Sequence, residues 1–214
     1  MKKYDVLLKG RMLRHWQPVL KEWSFLVRRS YVRTKGRYPS YIFRERANIG
    51  VLAAAAWRNG WVAIEEGRSA KKHKRSANVE FAGRTDLLLW HGKRREPFDI
   101  VEAKFTRQSV LSTHTEKVQR KIFEASEGAG RTFNIKKPVI AYRYVGLTFI
   151  DLTILDIDYD KSKIESDWKE YINHMQKEVD FNALAWSLPG PAKLKYDRQE
   201  KKHLGLILIA EAWG

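Results

Sequence analysis

Residues 83–106, GRTDLLLWHGKRREPFDIVEAKFT, read as two strands joined by a tight basic turn, with Asp86 on the first strand and Glu102-Ala103-Lys104 on the second. Side chains alternate faces along a strand, so Glu102 and Lys104 point the same way as Phe98 and Ile100. On the first strand Arg84, Asp86, Leu88 and Trp90 share one face, while Thr85, Leu87 and Leu89 share the other. A hairpin closing across His91 to Pro97 brings an aspartate, a glutamate and a lysine into one small volume. Buried charge is costly, so this is chemistry that a core does not need.

Upstream, Ser40 offers an N-cap for a helix running to Arg58, stopped by Asn59-Gly60. Its apolar stripe is Ile42, Ile49, Leu52 and Ala56, and helical spacing puts Glu45 on that stripe. A carboxylate there needs either a cation such as Arg44 or Arg46 or a polar cleft, and the acids of the next elements favour the cleft. Trp61 to Glu66 reads as a short strand, and residues 67–78 as a basic loop holding Lys71, Lys72, Lys74 and Arg75.

Downstream, Thr113-His114-Thr115-Glu116 is a capping-box pattern that starts a helix running to about Glu127, with Val118, Ile122 and Ala125 inward and Gln119 one position away. Two strands follow, 138–145 and 147–157, divided at Gly146. Ser162 and Glu165 repeat the capping box before an amphipathic helix carrying Trp168, Tyr171 and Met175, and residues 204–209 are apolar enough for a final strand. Near the N-terminus, Val19, Leu20, Trp23, Leu26 and Val27 follow helical spacing from Gln17 to Arg29. The expected division is an N-terminal helical extension at 1–39, a core at 40–157, and a C-terminal helix and strand at 158–214 packed on that core.

The order is then a helix with Glu45, a strand, a strand with Asp86, a strand with Glu102 and Lys104, a helix with Gln119, and a strand. On these residues the chain resembles the PD-(D/E)xK nuclease superfamily, whose restriction-endonuclease-like core has this αβββαβ order. Asp86 matches the first motif acid, with Thr85 in place of the usual proline, and Glu102-Ala103-Lys104 matches the (D/E)xK triplet. Gly83-Arg84-Thr85-Asp86 and Gln119-Arg120-Lys121-Ile122-Phe123 are a weaker likeness to the RecB-type exonuclease branch, with Phe123 where that branch has Tyr. The likeness spans about residues 40–145.

The resemblance implies an α/β fold with a mixed central sheet flanked by helices, and a metal-dependent deoxyribonuclease. Asp86, Glu102 and Glu45 would hold Mg²⁺, or Mn²⁺ in its place, Lys104 would be the catalytic cation, and Gln119 would assist. The chemistry suits these residue types. Phosphodiester cleavage needs charge stabilised on phosphate and hydroxide near neutral pH, and a hard divalent cation on carboxylates supplies both.

Composition sets the wider bounds. Forty-one Lys and Arg against 25 Asp and Glu leave a formal charge of +16, which attracts a polyanion and makes nucleic acid the expected partner. Lys71, Lys72, Lys74, Arg75, Lys93, Arg94 and Arg95 flank the motif and would grip DNA backbones. With no cysteine there are no disulfides and no cysteine-based zinc sites, which fits a cytoplasmic protein. No run approaches the roughly 18 apolar residues of a membrane helix, so no membrane partner is expected. Cutting both strands of a duplex often takes two sites, which is compatible with a homodimer. The alternative reading is a DNA- or RNA-binding protein that keeps a nuclease-like fold without cutting. The six histidines are scattered without zinc spacing, and no glycine-rich phosphate loop follows a strand.

Overall fold

The computed structural model describes residues 4–73, 76–92, 98–131, 142–155, 160–189 and 201–213, with the backbone alone described at 4, 68–73, 76–82, 142, 155, 161 and 201. The described strands are β1 (Tyr4–Leu8), β2 (Val62–His73), β3 (Ser76–Trp90), β4 (Phe98–Ser109), β5 (Tyr142–Leu155), β6 (Ala183–Ser187) and β7 (Lys201–Trp213). The helices are α1 (Gln17–Arg33), α2 (Arg44–Arg58), α3 (Glu116–Arg131) and α4 (Ile164–Glu178). All seven strands lie in one sheet of order β1-β6-β7-β5-β4-β3-β2. Among the described residues only β4 and β5 pair in parallel, and α3 is the crossover that parallel neighbours require. The sheet is therefore mixed, and it draws strands from both ends of the chain as well as from its middle.

Alternation along the central strands gives each face its own core. One face sets Leu87, Leu89, Val101, Ala103, Val145, Leu147 and Phe149 against α1 and α2, where Trp23 and Leu52 are fully buried. The other sets Ile150, Leu152, Ile207 and Ile209 against Val118 and Ile122 of α3 and Trp168 and Ile172 of α4. Residues 203–210 of β7 are all buried, the continuous pattern of a strand covered on both sides.

Several local expectations change. Residues 67–73 continue β2 instead of forming a loop, since β2 and β3 remain paired as far as His73 and Ser76. Ser40 does not cap α2: its amide donates to Ser30 Oγ, residues Ser40–Phe43 form a 3₁₀ turn, and the α-helix starts at Arg44. The strand expected to break at Gly146 runs through it as β5, while residues 138–141 lie outside the described set.

Gly146 has a packing role instead. A Cβ there would lie 2.4 Å from Ser126 Oγ, 2.5 Å from Ser126 N and 2.7 Å from Ser126 Cα, so its absence is what lets α3 settle on β5. Gly146→Ala must push backbone away from backbone. It is expected to cost about 1–3 kcal/mol, measured as a lower urea midpoint with an unchanged slope.

Candidate active site

The pairing of β3 with β4 is short: Leu87 with Val101, Leu88 with Ile100, and Leu89 with Asp99. Directly opposed residues share a face, so the next positions outward, Asp86 and Glu102, lie with Leu88 and Ile100 on the face that α3 covers. At that point a side chain replaces the ladder. Asp86 Oδ2 accepts the amide of Ala103 at 2.7 Å, and Lys104 Nζ donates to the Ala103 carbonyl at 2.7 Å. Both polar groups of Ala103 are thus served by motif side chains, and the β3–β4 pairing ends beside them.

The other members arrive from the helices. Glu102 is 5% exposed, and its Cβ, Cγ and Oε2 lie 3.5–3.6 Å from where a Cβ on Gly128 would stand, which brings the backbone of α3 down onto the acid. Glu45 enters from the first turn of α2 and is half-buried. Its carboxyl is pushed above the usual carboxylate range, first by burial, with the negative charges of Asp86 and Glu102 adding to the rise. Lys104 and, more weakly, Lys121 oppose it. The structure therefore brings Glu45, Asp86, Glu102 and Lys104 into one electrostatic group. Arg46 does not neutralise Glu45, because it pairs with Glu66.

The raised value has a direct consequence. A carboxyl with a folded pKa above its unfolded one adds stability only while protonated, and that stability is lost as pH rises through the folded value. In metal-free buffer Glu45→Gln is therefore expected to melt above the wild type at pH 7, with the two curves converging below about pH 4. Equal melting temperatures across that range would contradict the burial of Glu45 beside two acids.

Gln119 is not brought to this group. It is exposed, and its Nε2 donates to the Glu178 carbonyl at 2.8 Å, which turns it toward the end of α4. Lys71 and Lys72 lie on β2 where only the backbone is described, and Lys74, Arg75, Lys93, Arg94 and Arg95 lie outside the described residues.

Sequence reasoning missed Glu66. It has a φ of 52° and drops out of the β2–β3 register directly opposite Asp86, between the pairs Glu65–Leu87 and Gly67–Thr85. Its carboxylate is held by Arg46 and by Arg84 at 2.8 Å, two arginines with side chains 79% and 71% exposed. The signal available beforehand was only the pair of acids at the end of the expected strand.

The donor set suits a hard cation: three carboxylates and the Ala103 carbonyl offer oxygen alone. Among the described residues no three His, Cys, Asp or Glu side chains converge closely enough to enclose an ion by themselves.

The chain matches no protein-family model, and comparison with curated proteins and with solved structures finds no significant similarity. No described helix is long and apolar enough to cross a membrane.

Proposed function

We propose that this protein is a metal-dependent deoxyribonuclease hydrolysing phosphodiester bonds at the cleft formed by Glu45, Asp86, Glu102 and Lys104, on a restriction-endonuclease-like core. The observation that carries the reading is the end of the β3–β4 ladder, where Asp86 and Lys104 take both polar groups of Ala103 beside the buried Glu102. A bound Mg²⁺ or Mn²⁺ would neutralise phosphate charge and supply hydroxide near neutral pH. Asp86 and Glu102 would hold it, with Glu45 as the auxiliary acid. Glu45 is suited to that part because its ionisation is opposed by burial and by two neighbouring acids, a cost that a cation offsets.

Lys104 would meet the scissile phosphate with its ammonium, orienting the attacking water or offsetting charge as the transition state develops. Arg46 and Arg84, exposed on Glu66 opposite Asp86, offer guanidinium groups for flanking phosphates. The formal charge of +16 supplies long-range attraction and would make affinity fall with salt. A module that only binds nucleic acid gains nothing from three carboxylates, which repel phosphate. The test is incubation with DNA in Mg²⁺ and in EDTA. Cutting confined to the metal sample is expected, and DNA or RNA binding indifferent to metal with no cutting would favour the binding reading.

A further inference from the structure

We infer that Arg44 is a positioning residue, whose strained backbone aims Glu45 into the acid group. The role assigned to Glu45 rests on the nuclease reading; the strain stands independently of it. Arg44 has φ 67° and ψ −158°, a region that glycine occupies almost alone, because any Cβ there crowds the residue's own backbone. Its side chain is exposed, so no buried contact of the guanidinium demands this conformation.

The strain persists because the chain is fixed on both sides. Upstream, Tyr41 is fully buried in the 3₁₀ turn. Downstream, the side chain of the buried Asn48 donates to the Arg44 carbonyl, and Ile49 and Leu52 bury the inner face of α2. Between these anchors the path must turn at Phe43 and Arg44, and Glu45 follows at once in the first helical turn. A chain built for stability alone would carry glycine at the turn.

A second bend supports the same reading. Among the described residues three non-glycines have positive φ: Lys35, Arg44 and Glu66. Arg44 immediately precedes Glu45, and Glu66 stands opposite Asp86. Arg46 joins the two bends by pairing with Glu66. That pair is too exposed to hold much strain, so the buried anchors carry the load. Unusual backbone is thus found on both sides of the acids, and at Arg44 it fixes the direction in which Glu45 enters.

The test compares Arg44→Gly, Arg44→Ala, Arg44→Ser and Arg44→Lys by thermal melting and by steady-state cleavage of DNA in Mg²⁺. Glycine relieves the strain, so Arg44→Gly is expected to melt about 2–4 °C above the wild type and above the Ala and Ser variants. Its kcat is expected to fall about tenfold or more, because Glu45 loses its fixed direction. Arg44→Lys should keep the wild-type kcat, and Arg44→Ala should raise KM with little loss of kcat, having lost a cation but not the bend.

A serine variant as stable as glycine would mean that helix capping sets the order, which overturns the strain. Equal melting of the Gly and Ala variants does the same, and a Gly variant with wild-type kcat overturns the positioning role. A wild type that cuts nothing in any metal sinks the nuclease reading and the positioning role with it, while the order of melting temperatures still decides whether Arg44 is strained.

Discussion

Asp86→Asn is expected to lose about 10²–10³-fold in the rate of metal-dependent DNA cleavage while folding and binding DNA as the wild type does. The substitution isolates charge from geometry. The asparagine carbonyl oxygen can still accept the Ala103 amide that Asp86 Oδ2 now takes at 2.7 Å, so the end of the β3–β4 ladder is kept. What disappears is one of the acids that would hold the cation. Lys104→Ala should give a loss of similar size for a different reason, since it leaves the acids and removes the only motif cation. Single-turnover nicking of supercoiled DNA, read beside circular dichroism and a binding isotherm, separates lost chemistry from lost fold. Full activity in the Asn variant would remove Asp86 from the site.

The largest effect on stability is expected away from the acids, at Asp99. This carboxylate is 1% exposed and accepts Trp16 Nε1 at 2.6 Å and Arg143 Nε at 2.6 Å, with His15 Nε2 3.0 Å away. Arg143 also donates to the Met12 carbonyl at 3.0 Å, and the His15 ring stacks on Trp61 at 5.5 Å. One aspartate on β4 thus ties the segment before α1 to β5. Removing it leaves a guanidinium with a side chain only 14% exposed without its anion, so Asp99→Ala should cost about 3–5 kcal/mol. Against the usual total of about 5–15 kcal/mol that is enough to unfold part of the population at 37 °C. Urea titration at 25 °C gives the value directly, and a loss under about 1 kcal/mol would contradict the hub.

How much of this was legible in the sequence depends on the range of the interaction. Period-two alternation put Asp86, Glu102 and Lys104 on one face, and the register of β3 with β4 has that parity. Helical spacing sent Glu45 inward, and burial with Lys104, Asp86 and Glu102 around it is the environment found. The capping signal at Ser40 misled because the hydrogen-bonding choice of a hydroxyl is tertiary: Ser40 Oγ is buried without a partner among the described residues, and the Ser40 amide goes to Ser30 instead. Gly146 looked like a strand break because its reason is the backbone of α3, 20 residues earlier in sequence. β1 and β6 have only five residues each, too short for periodicity to show.

Gln119 went elsewhere for another reason. It has the right residue type for its expected role, yet its amide reaches the Glu178 carbonyl at the end of α4. The partners of the buried Asp151 were invisible for the plainest reason. Asp151 meets Arg107 at 2.8 Å and His203 at 2.7 Å, partners 44 and 52 residues away with no local pattern to announce them.

The most direct measurement is incubation of the wild-type protein with supercoiled, linear and single-stranded DNA in Mg²⁺, in Mn²⁺ and in EDTA. A metal-dependent deoxyribonuclease gives phosphodiester cleavage that requires metal and stops on chelation, with the preferred DNA separating cutting within a strand from cutting at its ends. Binding to all three DNAs with no cutting in either metal would contradict it.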